Sequence, residues 1–331
     1  MTAPGDSTPE PPASPAPEPR VEVVGRLSAE EVRAVALLVE AATEADGVRP
    51  LSEHVALHLR YGGDAPVRNV LVYAGDELAA YGHLDVTDEV AGASAEIVVH
   101  PAHRLRGLGS LTVRATLEET PDGRLRLWAH GEHPAAAAMA RAMGFRRSRS
   151  LWQMRRSLYA ALPSPVVPAG VTVRAFEPGL DDEAWVRLNS LVFRDHPEQG
   201  DWDPDDLHRR MREPWFDPAG FFLAEREGRL VGFHWTKVHG GDGHGHGHGH
   251  EPIGEVYVVG VDPAEHGTGL GKALTLIGLR HLRHLGLPDA MLYVDADNAP
   301  AIGLYTRLGF TRWETDVMFS RGAEPARPPA P

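Results

Sequence analysis

Two short segments of this chain have the residue types and spacing to hold an anion. Arg104-x-x-Gly107-x-Gly109 and His266-x-x-Gly269-x-Gly271 each lie between an apolar β-branched run and a helical pattern. Glycines there let backbone N–H groups approach a ligand, and a helix N-terminus adds positive potential, so the matching chemistry is capture of a pyrophosphate. One Gly-x-Gly turn is weak grounds, because a glycine-rich left-handed turn looks the same. Here the pattern occurs twice, after Pro101 and Pro263, with equal spacing from the Pro to the last Gly. Residues 138–145 and 303–310 also line up, each ending in Gly-Phe. A period of roughly 160 residues is too long for a solenoid and points to two tandem domains of one fold.

The elements that must position these loops read in the same order in both halves. Leu27 to Ala45 has helical apolar spacing, with a capping box at Ser28 and Glu31. Residues 70–73 and 78–81 flank Gly75-Asp76 as a hairpin, and Ala95 to Val99 is a strand. Ser110 to Glu119 is a helix, Leu125 to Ala129 a strand, and Ala135 to Met143 a helix stopped by Gly144. The second pass gives a strand at 171–174, a helix at 182–192, a hairpin of 221–225 with 230–237, and a strand at 255–261. It ends with a helix at 272–285, a strand at 290–294 and a helix at 300–308. Hairpins mixed with β–α crossovers predict an α/β (α+β) fold in each half, a mixed and mostly antiparallel sheet flanked by helices. The expected division is a disordered Pro-rich tail at 1–20, a first domain at 21–159, a linker at 160–170, a second domain at 171–321 and a tail at 322–331.

Composition narrows the function. The net charge of −13 argues against nucleic acid as the main partner. No apolar run reaches the roughly 18 residues that span a bilayer, so no membrane role is expected. Cysteine is absent, which removes disulfides, thiolate metal sites and thiol nucleophiles, and fits a cytoplasmic protein. Residues 243–250 alternate Gly and His. Imidazoles bind metals, but alternating glycine imposes no ligand geometry, so an adventitious metal loop is expected and no functional metal.

The loops, the Val-x-Pro strand ends and the block Asn298-Ala299-Pro300-Ala301-Ile302-Gly303-Leu304-Tyr305-Thr306-Arg307-Leu308-Gly309-Phe310 resemble the GNAT superfamily of acyl-CoA-dependent N-acetyltransferases. His266 departs from that pattern, which has Gln or Arg there. Within the superfamily, 196–200 (His-Pro-Glu-Gln-Gly), 232–239 (Gly-Phe-His-Trp-Thr-Lys-Val-His), 255–263, 292–295 and 46–53 resemble the tandem-domain mycothiol synthases. That resemblance covers about residues 22–320. It implies acetyl-CoA as co-substrate and a cysteinyl-glucosaminyl-inositol amine as acceptor. Acetyl-transfer chemistry requires no metal, and a monomer is expected. It implies acetyl-CoA contacts from Val259, Gly260, Val261, His266, Gly267, Thr268, Gly269, Leu270, Gly271, Lys272, and Asn298 through Gly303. In the first half the corresponding residues are Ile97, Val98, Val99, Leu105, Arg106, Gly107, Leu108, Gly109 and Ser110. Glu53, Glu198, Lys237, Glu255 and Tyr293 are the implied acceptor contacts.

Acetyl transfer needs a base for the amine proton and a donor for the departing thiolate. When the Gly loops are aligned, Glu255 falls opposite Ala93; when the Gly-Phe ends are aligned, Tyr305 falls opposite Ala140. The expected catalytic pair is therefore Glu255 and Tyr305, and the second half the catalytic one. The first half binds acetyl-CoA or only supports its neighbour. The plainer alternatives are a strand-end acid and a core tyrosine. An acetyltransferase for another amine, such as an aminoglycoside or a protein N-terminus, stays open, as does a non-catalytic acyl-CoA sensor.

Overall fold

The computed structural model describes residues 18–61, 67–87, 92–194, 196, 199–200, 202–239 and 252–322. Glu198, most of both tails and the Gly-His run lie outside them. The chain divides into two compact units, Met1–Leu127 and Trp128–Pro331.

In the first unit the elements run β1 (Arg20–Val24), α1 (Ala29–Asp46), α2 (Glu53–Tyr61), β2 (Val67–Ala74), β3 (Glu77–Asp85), β4 (Ala93–Val99), α3 (Leu108–Glu118) and the start of β5 (Leu125–Ala129). The sheet order is β1-β2-β3-β4-β5, and β1 to β4 pair antiparallel. Ser28 and Glu31 form the expected reciprocal cap at the start of α1. Its apolar stripe, Val35, Leu38, Val39 and Ala42, packs with Leu71, Tyr81 and Val98. Leu108 and Ala115 of α3 close a second cluster with Val70, Val72, Ala79 and Ala80.

The second unit contains α4 (Pro134–Ala142), β6 (Arg146–Ser157), β7 (Val171–Ala175), α5 (Asp182–Val192), α6 (Pro204–Met211), β8 (Phe221–Arg226), β9 (Arg229–His239), β10 (Ile253–Val261), α7 (Leu270–His284), β11 (Asp289–Asp295), α8 (Ala299–Arg307) and β12 (Thr311–Arg321). Its sheet order is β12-β6-β11-β10-β9-β8-β7. All neighbouring pairs are antiparallel except β10 with β11. Leu276, Leu279 and Leu282 of α7 pack with Leu292, Val294, Tyr305 and Phe310. A second cluster is aromatic, with Trp185, Phe221, Phe233 and Trp235 at its centre.

The division into compact units falls earlier than the Pro-rich segment 160–170. The reason is β6. It precedes that segment in sequence, yet it lies between β11 and β12 with long ladders to both. A strand paired on both edges belongs to the sheet that pairs it.

Candidate acyl-transfer site

β10 and β11 are parallel partners over Ile253–Glu255 only, opposite Asp289–Met291. Beyond Glu255, β10 keeps β9 as its partner through Val261, with a bulge between Val256 and Val258. The β10 edge that faces β11 therefore has no ladder partner after Glu255 among the described residues. A bulge adds twist and turns a strand away from its neighbour. The parallel pairing thus ends at an apex at Glu255, and beyond it the backbone of Val259 and Val261 lies on the open edge of β10.

After the end of β10, Asp262 caps a short 3₁₀ turn (Pro263–Glu265) by accepting from Ala264 N–H at 2.9 Å. That backbone hydrogen bond, and after it Arg229, hold its carboxyl below the usual range. His266 Nε2 donates to the Val261 carbonyl at 3.2 Å. Gly267 and Gly269 take φ of 79° and 89°, and Gly269 is the N-cap of α7. Residues 266–269 are exposed, so the helix N-terminus opens to solvent. Gly271 is different. Its φ is ordinary and an added Cβ would meet only Val261, at 3.6 Å. Gly260 is required for packing, because a Cβ there would lie 2.6 Å from the Phe233 ring. Asn298 caps α8 by accepting from Ala301 N–H at 3.1 Å. It follows β11, so it lies at the same strand end as the glycine loop.

Glu255 is 6% exposed. It stands opposite Lys237 in the β9–β10 ladder, and its Oε2 accepts from His239 Nε2 at 2.6 Å. Lys237 is also buried, with its ammonium 4.5 Å from the Trp215 ring centre and 5.1 Å from that of Tyr257. Tyr293 is 42% exposed as a residue, but its hydroxyl accepts from the buried Gln153 at 2.8 Å. Desolvation of that end, and then the Glu255 charge, raise its phenol above the ordinary range. Glu255, Lys237 and Tyr293 thus share one neighbourhood. Glu53 starts α2 in the other unit, and Glu198 is not among the described residues.

Tyr305 lies inside the α7–α8 core, 7% exposed, with its ring 5.8 Å from that of Phe310. Burial pushes its phenol up to about 12. Its hydroxyl makes no hydrogen bond among the described residues. A phenol held in this way stays protonated at neutral pH and keeps a donor to give.

Several neighbours of the site were not picked out from sequence. Gln153, and Arg155, which donates to Gln153 Oε1 at 2.8 Å, come from β6. Arg149 of β6 holds Asp295 with two hydrogen bonds, at 2.6 and 2.9 Å, and reaches His196. The 165-residue offset between the two Gly-Phe ends places β6 opposite β12, and that offset was the available signal. Among the described residues one group has metal-ligand composition: Glu77, His100 and His103 in the first unit. His100 Nδ1 accepts from Ala102 N–H, so in the neutral ring Nε2 carries the proton and is a donor rather than a ligand. A cavity of about 210 Å³ lies beside α4, lined by Ala129, Ala137, Arg141, Val317 and Phe319 among others, and shares no residue with the acyl site.

A strand splayed from its parallel neighbour, a glycine loop feeding a helix, and a buried carboxylate at the apex define an acyl-CoA N-acyltransferase fold. The model of the acetyltransferase (GNAT) family matches residues 35–145 and again 185–310, and the chain belongs to that family. It is 59% identical to a mycothiol acetyltransferase of Acidothermus cellulolyticus, over 92% of this chain and 95% of that protein. It is 58% identical to one of Streptosporangium roseum, over 91% and 99%. Among solved structures it is similar to a GCN5-related N-acetyltransferase from Sphaerobacter thermophilus (26% identity, TM-score 0.66, 93% of this chain and 96% of that one). A tandem GNAT protein from the clavulanic acid biosynthesis pathway shares the fold at 20% identity (TM-score 0.70, 94% and 100%).

Proposed function

We infer that this chain transfers the acetyl group of acetyl-CoA to the cysteinyl amine of a cysteinyl-glucosaminyl-inositol, releasing mycothiol and CoA. The observation that carries the reading is near-full-length identity of 49–59% to proteins named mycothiol acetyltransferase. The geometry of the second unit supplies a compatible mechanism. The pyrophosphate rests on the N–H groups of 267–271 and the α7 N-terminus, while pantetheine adds to the open edge of β10 at Val259 and Val261. The acyl carbonyl then lies near the apex beside Glu255. Glu255 accepts a proton from the substrate ammonium, the freed amine attacks the thioester carbon, and Tyr305 donates to the departing sulfur. Lys237, Tyr293, Glu198 and Glu53 are the proposed acceptor contacts, since a polyhydroxylated amine needs charged and hydroxyl partners. His266 spends Nε2–H on Val261, so pyrophosphate binding falls to the backbone and Lys272. The loop of the first unit is a second proposed acetyl-CoA site without chemistry. The enzyme is proposed to work as a monomer in the cytoplasm, where acetyl-CoA is made and used.

The test is acetylation by the purified full chain, read by product mass, with acetyl-CoA and a panel of amines. The panel comprises the cysteinyl pseudodisaccharide, the same sugar without cysteine, an aminoglycoside and an N-terminal peptide. Preference for the cysteinyl compound in kcat/KM is expected. Equal rates across the panel, or a preference for another amine, would overturn the assignment.

A further inference from the structure

His239 is the last residue of β9, and Glu255 is the third of β10. The ladder pairs His239 with Ile253 and Lys237 with Glu255. Side chains two apart share a face, so His239 is the diagonal neighbour of Glu255, within reach of a long side chain. The contact is made: Nε2 lies 2.6 Å from Oε2. Two unprotonated acceptors would repel at that distance, so a proton lies between them and the imidazole Nε2–H is the donor. The other oxygen, Oε1, makes no hydrogen bond among the described residues. Glu255 is buried, whereas the His239 side chain is 34% exposed. Lys237 is engaged by Trp215 and Tyr257, and the Tyr293 hydroxyl is held by Gln153. His239 is the neighbour that hydrogen-bonds the carboxylate.

We propose that His239 is a positioning residue for the base. It ties Oε2, fixes the carboxylate plane and leaves Oε1 as the single oxygen turned to the substrate ammonium. In the step it serves, an ammonium N–H bond breaks, the proton joins Oε1, and the nitrogen keeps the electron pair that attacks the thioester. A charge-assisted hydrogen bond to a buried carboxylate gives the orientation that a two-bond rotor lacks alone. The repeat carries an independent sign of this pairing. With β3 and β9 aligned, His239 falls opposite Thr87; with the glycine loops aligned, Glu255 falls opposite Ala93. The first half lacks the base and its partner together. Thr87 turns instead to Asp85, at 2.6 Å.

The proposal rests on the acetyl-transfer reading above, and its test separates the two. His239→Ala, His239→Gln and His239→Leu are made in the native chain and in Glu255→Gln. Steady-state kinetics with acetyl-CoA and the cysteinyl amine are followed for all, with thermal melts to confirm folding. His239→Ala and His239→Leu are expected to lower kcat roughly tenfold, the scale of one lost charge-assisted hydrogen bond, with KM for acetyl-CoA unchanged. Gln, whose Nε2–H can replace the ring donor, should restore most of the loss. In the Glu255→Gln background the same changes should cost nothing more, because the effect runs through the carboxylate. Equal kcat for the Gln and Leu variants would overturn the proposal. So would an equal fold-loss in the Glu255→Gln background, the mark of a purely structural contact. If alanine misfolds, the Gln and Leu pair still decides. Failure of the native chain to acetylate the cysteinyl amine would sink the functional reading instead.

Discussion

The two glycine loops are built alike and equipped differently. In each, a residue after the strand caps a 3₁₀ turn that starts with Pro, His100 in one and Asp262 in the other. In each, the next long side chain hydrogen-bonds the equivalent strand carbonyl: Arg104 to Val99 and His266 to Val261, both at 3.2 Å. In each, a left-handed glycine is the N-cap of the following helix. What differs is the chemistry around the loop. Glu255 is replaced by Ala93, 3% exposed, and Tyr305 by Ala140, 2% exposed. Arg104 also spends its guanidinium on Asp46, at 2.6 and 2.7 Å. A backbone anion site needs only a turn, and both halves keep that turn. The proposed proton transfer depends on two particular side chains, and the first half has buried alanines at those positions.

The comparison breaks most readily at the proposed acid and base. Glu255→Gln should lower kcat/KM by about 10²–10⁴-fold, the usual contribution of a general base. Near-native turnover would place the base elsewhere and restore symmetry between the halves. Tyr305→Phe should lower kcat by about 10²-fold while leaving acetyl-CoA affinity and the thermal midpoint nearly unchanged. The hydroxyl has no hydrogen bond to lose among the described residues, so a large fall in Tm would mean that its role is structural.

The loops give the next contrast. Gly271→Ala should fold normally, since the protein leaves room at that site. It should weaken acetyl-CoA binding, because the new methyl touches Val261 only at ordinary contact distance, 3.6 Å, and the loss then comes from the bound ligand. Gly269→Ala and Gly107→Ala both force a side chain into positive φ, at 89° and 82°, with a cost of roughly 1 kcal/mol each. Denaturant melts should show similar losses for the two. Turnover should fall for Gly269→Ala alone, and a folded but inactive Gly107→Ala would reverse the assignment of the catalytic half.

Much of this asymmetry was legible in the sequence, because it depends on residue identity at aligned positions. The helix at 182–192 and the cap of α1 were legible for a similar reason, being local chemistry. β6 was not. Arg146-Arg147-Ser148-Arg149-Ser150 has no apolar alternation, and its place between β11 and β12 is set by partners far away in the chain. α2 and α6 are short, nine and eight residues, and give little periodicity to read. β1 begins at the edge of a Pro-rich tail, and β12 follows the last motif that the repeat shares. The His239–Glu255 contact depends on a ladder register that spans a 13-residue gap of unknown geometry to a sequence reader.

A last pair of exchanges tests whether the halves solve one packing problem in opposite ways. In the ladders, Gly82 faces Ile97 and His234 faces Val259, which are equivalent positions of β4 and β10. The helix above each is also matched, with Thr116 in α3 opposite Gly278 in α7. Where the second half puts a large ring on the strand, the helix has no side chain: a Cβ on Gly278 would lie 2.1 Å from His234 Cε1. Where the first half has glycine on the strand, the helix supplies Thr112 and Thr116, 3.1 and 3.3 Å from the position of a Cβ on Gly82. His234 is fully buried, its Nδ1 donates to the Leu274 carbonyl at 2.8 Å, and burial lowers its pKa to about 4. Gly278→Thr should therefore destabilise by about 1–3 kcal/mol through overpacking. His234→Gly should destabilise through the cavity it leaves. The two together, which transplant the arrangement of the first half, should cost less than the sum, with a coupling of about 0.5–3 kcal/mol in urea melts. Strict additivity would show that the two exchanges arose separately and that the shared fold does not link them.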